Sequence, residues 1–154
     1  RFHESRALTA GIGMLDISDG NRRSTLSLAW DERLYASPRL KLDLRAGVYA
    51  SRNTRIGAPY FNPESGFSPA LTFNLEWLTW RSYSYAFNQR LRGTLGLYLQ
   101  DGFDPGAVSE LFYEHIWDLG PRFSVRYGLG RRVHPYDGNQ TGRNYFTLGM
   151  DGRF

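Results

Sequence analysis

Carboxylates, guanidiniums and tyrosines carry most of the chemistry this chain can offer, and they recur at every second position. Asp31, Asp43, Glu76, Glu110, Glu114 and Asp151 each fall in a stretch where polar and apolar residues alternate. Tyr49, Tyr98 and Tyr145 lie on the same polar side, and so do Arg33, Arg45, Arg90, Arg92, Arg126 and Arg153. Acids and arginines that share a face on neighbouring strands pair with one another, so charge pairing is the plain structural expectation for any one of these carboxylates. The histidines are His3, His115 and His134. His134 stands close to Asp137, a spacing that can orient an imidazole, but a general base also needs a nucleophile within reach. No serine lies near these residues and no G-x-S-x-G occurs, so no enzyme activity is expected. There is no cysteine, which removes thiolate chemistry, disulfides and cysteine metal sites; neither metal nor cofactor is expected. Gly11-Ile12-Gly13 and Gly128-Leu129-Gly130 sit inside alternating stretches and read as strand glycines, not phosphate loops. Only one of the 19 basic residues is lysine (Lys41), and the arginines alternate along the chain without clustering, so no nucleic-acid partner is expected.

The elements that must position these groups are strands. The 154 residues fit one domain, spanning 1–154. Aromatics at 16% with charged residues at 22% argue against disorder. Mean hydropathy is −0.49, and no apolar run approaches the about 18 residues of a membrane helix, which leaves open a barrel of short alternating strands. Arg1-Phe2-His3-Glu4 is no signal peptide, so the chain is expected to be a mature product or a piece of a larger one. Period-two alternation recurs in about eight segments, near 6–17, 23–35, 39–51, 67–80, 84–100, 107–118, 122–133 and 143–154. Leu40 to Tyr49 is the clearest, with Leu, Leu, Leu, Ala and Val at even positions. Segment 107–118 is irregular, because Glu110, Glu114 and Asp118 share a side with Val108, Phe112 and Ile116; a bulge or an interior aromatic cluster would each explain it. Ala36-Ser37-Pro38, Arg81-Ser82-Tyr83 and Leu119-Gly120-Pro121 read as tight turns. Asp19-Gly20-Asn21-Arg22, 52–66, 101–106 and 134–142 read as longer links. Short and long connections therefore alternate, as in an up-and-down barrel with short turns on its periplasmic rim.

Three features place the leucines toward lipid rather than inside a soluble barrel. The opposite face is crowded with charge, which suits a wet lumen. Trp77, Trp80, Tyr83, Tyr85, Trp117, Tyr60 and Phe61 gather near strand ends, where amphipathic rings favour a membrane interface. The chain closes on an alternating strand with terminal Phe154, like the C-terminal targeting signal of outer-membrane barrels. The expected fold is all-β, an antiparallel up-and-down transmembrane β-barrel or the C-terminal half of one.

An ordered set of motifs then resembles a known family. These are Ser18-Asp19-Gly20-Asn21-Arg22-Arg23, Tyr60-Phe61-Asn62-Pro63, and Gln89-Arg90-Leu91 with Tyr98 through Phe103. Tyr113-Glu114-His115, Arg132 with Tyr136-Asp137-Gly138, and Leu148 through Asp151 with Arg153-Phe154 complete the set. The chain resembles the outer-membrane porins that export poly-β-1,6-N-acetyl-D-glucosamine, a biofilm polysaccharide. That resemblance implies a Gram-negative outer-membrane location and secretion of a partially de-N-acetylated polymer. It further implies a barrel of roughly sixteen strands, an N-terminal periplasmic helical-repeat domain missing from this chain, a periplasmic polysaccharide deacetylase partner, outer-membrane lipids and the barrel-assembly machinery. Such a polymer is cationic, so the lumen path is assigned to Asp31, Asp43, Glu76, Glu110, Glu114 and Asp151, with Tyr49, Tyr98 and Tyr145 as stacking surfaces. Tyr60, Phe61, Asn62 and Pro63 are assigned to a loop that gates the mouth. An eight-stranded barrel would be filled by its own side chains. The alternative is therefore a small plugged barrel acting as a surface binding or receptor protein through its external loops.

Overall fold

The computed structural model describes residues 5–55 and 57–153. Eight strands follow one another: β1 (Arg6–Asp16), β2 (Arg22–Ala36), β3 (Leu40–Asn53), β4 (Ser65–Ser82), β5 (Tyr85–Gln100), β6 (Gly106–Leu119), β7 (Phe123–Tyr136) and β8 (Asn139–Gly152). They form one sheet in sequence order, each strand antiparallel to the next. Among the described residues nothing pairs β8 with β1, so the sheet is open at both edges. All eight expected segments are strands. His3 and the terminal Phe154 lie outside the described residues.

One connection is corrected. Residues 134–142 form no long loop: β7 runs to Tyr136, β8 begins at Asn139, and only Asp137-Gly138 intervene. Both have positive φ, 47° and 76°, as a two-residue hairpin of matched twist requires, and an Asp-Gly pair supplies that backbone cheaply. The other connections keep the expected contrast. Residues 17–21, 54–55 with 57–64, and 101–105 lie at one rim, and the short turns 37–39, 83–84 and 120–122 lie at the other. Register shifts interrupt β2 between Arg33 and Tyr35 and β4 between Leu78 and Trp80, both toward the short-turn rim.

The two faces differ sharply. Leu8, Ile12, Leu26, Leu71, Leu95, Leu129, Phe146 and Leu148 share one face and are exposed, Ile12 to 85% and Leu95 to 69%. A soluble barrel would bury such residues; a surface this apolar requires a non-aqueous neighbour. The opposite face is concave, because a single cavity of about 720 Å³ touches Asp31 on β2, Asp43 on β3, Thr72 on β4, Arg92 on β5, Glu110 on β6 and Arg132 on β7.

The irregular strand β6 owes its pattern to an interior cluster and not to a bulge, since its register runs unbroken against both neighbours. Phe112 is buried on the concave face, stacked on Tyr145 with ring centroids 5.6 Å apart and planes 9° from parallel. The Arg92 guanidinium sits 5.0 Å from the Phe112 centroid, a cation–π contact. Strand β7 makes room with glycine: a Cβ at Gly128 would meet the Phe112 ring at 2.6 Å, and one at Gly130 would meet the Tyr145 ring at 2.4 Å. These strand glycines let aromatic rings lie flat on the wall.

An aromatic belt forms on the apolar face near the short-turn rim. Phe87 stacks on Trp117 at 4.1 Å and Trp77 on Tyr113 at 6.2 Å. His115 stands edge-on to Phe87 at 5.1 Å, and its ring nitrogens hydrogen-bond the Tyr113 and Tyr127 hydroxyls at 2.9 and 3.0 Å. Tyr60 and Phe61 are not part of this belt; they belong to the long loop at the other rim.

Two glycine substitutions separate ring accommodation from strand propensity. Gly130→Val in the full-length protein should destabilise the barrel by about 1–3 kcal/mol, because the Tyr145 ring must move. Gly93→Val, where nothing lies within 4 Å of the added Cβ, should stay within about 0.5 kcal/mol of wild type. Denaturant unfolding in detergent micelles, followed by heat-modifiable mobility, reads both.

Candidate functional site

Strand register decides which charges meet on the concave face. Arg33 lies opposite Asp43 and binds it at 2.7 Å. Asp31 lies opposite Arg45 at 3.7 Å. Glu76, opposite Lys41 on one side and Arg90 on the other, is 3.8 Å from the first and 2.8 Å from the second. Arg90 also reaches Glu114 at 3.1 Å, so one guanidinium bridges two carboxylates across β4, β5 and β6. Arg126 binds Asp151 at 3.3 Å. Glu110 differs: it accepts a 2.5 Å hydrogen bond from the Tyr145 hydroxyl. All six acids assigned from the sequence therefore face the cavity side, and five of them are held in ion pairs.

The three tyrosines divide by exposure. Tyr49 is open, and its hydroxyl accepts from Arg23 at 3.4 Å. Tyr98 is buried, its ring 4.8 Å from that of His134. Tyr145 is packed against Phe112 as described above. His134 donates no bond to Asp137. Its Nδ1 hydrogen-bonds the Pro135 carbonyl at 2.7 Å, whereas the Asp137 carboxylate accepts from the Gln100 amide at 2.6 Å. The pair suggested by their spacing is thus taken apart by the hairpin, which turns each toward a different partner.

Loop 54–64 is held from two sides. On one side stands Asn21, 1% exposed, in the turn between β1 and β2. Its side-chain amide donates to Asn53 Oδ1 at 3.2 Å, to the Tyr60 hydroxyl at 3.2 Å and to Asn62 Oδ1 at 3.1 Å. Its Oδ1 accepts from the backbone N–H groups of Thr54 at 3.2 Å and Arg55 at 3.1 Å. Tyr60 in turn donates to Asp19 at 2.9 Å, and the Asn53 amide donates to the Pro63 carbonyl at 2.7 Å. On the other side Phe61 packs edge-on against Tyr136 of β7, with centroids 5.0 Å apart. Strands β5 and β6 lie between β4 and β7, so the loop reaches across the concave mouth. The Tyr-Phe-Asn-Pro segment is visible in the sequence. Asn21 as its anchor is not, because its partners are 32 to 41 residues away.

The Asp19 carboxyl lies below its ordinary value of 3.8. The Asn21 N–H donates to it, which outweighs the desolvation that pushes the other way, and the Tyr60 hydroxyl and the Arg55 charge add to the lowering.

The whole chain, residues 1–154, matches the family model described as the PgaA membrane beta barrel domain. It is 29% identical over 152 residues to the poly-beta-1,6-N-acetyl-D-glucosamine export protein of Escherichia coli (strain K12), covering 99% of this chain and 19% of that protein. The same figures hold for the export protein of Escherichia coli O157:H7. Among solved structures, a bacterial polysaccharide outer membrane secretin superposes with a TM-score of 0.94 at 29% identity, over 99% of this chain and 52% of the other. The chain therefore spans about a fifth of these curated relatives and about half of that solved chain.

Removing the bridging cation should matter more than removing a cation from an exposed pair. Arg90→Met leaves Glu114, a nearly buried side chain at 9%, without its partner and should cost about 3 kcal/mol. Arg45→Met breaks an exposed pair and should cost less than about 1 kcal/mol in the same unfolding assay. For the loop, the folded pKa of Asp19 lies below the unfolded one, so the latch contribution is intact above pH 3.8 and is lost as pH falls through the lowered value. Pepsin cleavage at Tyr60-Phe61 should rise steeply only below that pH. Asn21→Ala removes the side-chain bonds to Asn53, Tyr60 and Asn62 and the acceptor of the Arg55 N–H, while the Thr54 N–H keeps the Arg22 carbonyl; it should open the same site to protease at neutral pH.

Proposed function

The chain belongs to the PgaA membrane beta barrel domain family, and from that premise we propose that it forms one half of the wall of a roughly sixteen-stranded export pore. The pore carries partially de-N-acetylated poly-β-1,6-N-acetyl-D-glucosamine across the outer membrane to the cell surface. The observation that carries this reading is the open sheet: β1 and β8 lack partners among the described residues while the opposite face is apolar and exposed. In lipid every backbone N–H and C=O must be satisfied by the protein, so both edges require further strands. A barrel of eight strands is filled by its own side chains, whereas one of about 16 leaves an aqueous channel. The half-length match to the secretin chain supports the same reading. An outer-membrane location agrees with the family and with the leucine face.

Transport is passive in this account. The concave wall offers many weak contacts, and synthesis upstream pushes the chain. Asp31, Asp43, Glu76, Glu110, Glu114 and Asp151 attract the free amines of the polymer. Because five of these acids already hold arginine or lysine, an ammonium gains little on arrival and loses little on leaving, which suits conduction better than capture. Tyr49 presents its ring to the lumen as a stacking surface, while Tyr98 and Tyr145 hold the wall behind it. Tyr60, Phe61, Asn62 and Pro63 narrow the mouth as a bar anchored at Asn21 and Tyr136, and they open it when that bar swings. The helical-repeat domain, the deacetylase and the barrel-assembly machinery are partners that this reading requires of the full-length protein.

Two measurements test the proposal. In planar bilayers the full-length protein should show a stable conductance that the 154-residue chain alone does not; a heat-resistant closed barrel from this chain would overturn the half-barrel reading. Asp31→Asn with Asp43→Asn should lower secretion of partially de-N-acetylated polymer severalfold at an unchanged level of folded surface protein. Unchanged secretion would remove those acids from the path.

A further inference from the structure

The concave wall carries a group of arginines that the ion-pair lattice leaves out. Arg132 of β7 lies directly opposite Arg143 of β8, and Arg92 of β5 lines the same cavity of about 560 Å³. Like charges directly opposite on adjacent strands repel, so such a pair persists where something negative answers it. The carboxylate of the cavity, Glu110, lies opposite Arg132 in register but spends its close hydrogen bond on the Tyr145 hydroxyl. No described carboxylate comes within salt-bridge distance of Arg92, Arg132 or Arg143. Moreover, Arg92 Nε is buried without a hydrogen-bond partner among the described residues, although its guanidinium is fixed over Phe112. Three guanidiniums and one engaged carboxylate leave this patch with a formal excess of two positive charges.

We propose that Arg92, Arg132 and Arg143 form an oxyanion-binding site on the lumen wall, taking a phosphate- or carboxylate-class anion between the β7–β8 pair and the Phe112–Tyr145 stack. Guanidinium forks from two adjacent strands match the planar or tetrahedral oxygens of such a group. Arg92 is positioned by the ring beneath it, and the open side of the cavity faces the lumen. The site is the counterpart of the acids: a section of wall that repels free amines and holds anionic groups. It rests on the reading of this face as a lumen but not on polymer export, and the test needs neither conductance nor secretion.

The experiment is arginine modification in the folded full-length protein in detergent, with phenylglyoxal adducts located by mass spectrometry. Inorganic phosphate and acetate are the two probes, and chloride at matched ionic strength is the control. Protection scales as 1 + [L]/Kd, so labelling of Arg132 and Arg143 should slow about threefold at phosphate twice its Kd. Labelling of Arg39, in the short turn between β2 and β3, should be unchanged. Arg143→Gln should abolish the protection of Arg132 by phosphate while the protein remains folded by heat-modifiable mobility. Protection by phosphate but not by acetate would assign the site to tetrahedral oxyanions, and equal protection would assign it to the wider class. Rapid labelling that neither probe slows would overturn the proposal. So would labelling that is slow at the outset and indifferent to both probes, since carboxylates from the strands that close the barrel would then already occupy the site.

Discussion

Everything in this molecule follows from one requirement of the bilayer: a backbone polar group in hydrocarbon must be bonded within the protein. A sheet satisfies it between neighbouring strands, so the strands pair continuously, in sequence order, through tight turns at one rim. Lipid on one side and water on the other then turn the leucines outward and the charges inward. The backbone requirement also makes the unpaired edges of β1 and β8 the most informative feature of the chain.

Once the faces are set, the concave side has to hold many charges in limited space. It does so with cross-strand pairs, and Arg90 joins three strands by serving Glu76 and Glu114 at once. Such a lattice neutralises most of the acids locally. The surface that remains is patterned: ion pairs run across the wall from Arg33–Asp43 to Arg126–Asp151, and beside them Arg132 and Arg143 of β7–β8 stand opposite each other without a described carboxylate at salt-bridge distance.

Two further devices shape the lumen. Gly128 and Gly130 let Phe112 and Tyr145 lie flat on β7, so bulky rings add little thickness to the wall. At the mouth, Asn21 fixes loop 54–64 through bonds that a loop backbone cannot make to itself. Both depend on a small residue or a short amide where a larger side chain would not fit.

Much of this was legible in the chain itself. Alternation from Leu40 to Tyr49, or of Leu91, Leu95, Leu97 and Leu99 against Arg90, Arg92 and Tyr98, determines strands and faces locally, since a one-residue slip would reverse every side chain. The aromatics near strand ends, Trp77 and Trp117 among them, and the motif order of the family were equally available, whereas Phe87 as the ring that Trp117 stacks on emerged only in the fold. The hairpin at Asp137-Gly138 was written in its turn residues, yet it was obscured by the polar run around it. What sequence alone could not determine is who meets whom across the sheet. Arg33 finds Asp43 only through the β2–β3 register, which runs unbroken from Arg23 to Arg33, Arg132 meets Arg143 only through the short β7–β8 turn, and Asn21 gathers residues more than thirty positions away. The alternation is a property of one strand and survives in one dimension. The ion-pair lattice, the cationic patch and the loop anchor are properties of register between strands, and only the folded sheet decides that.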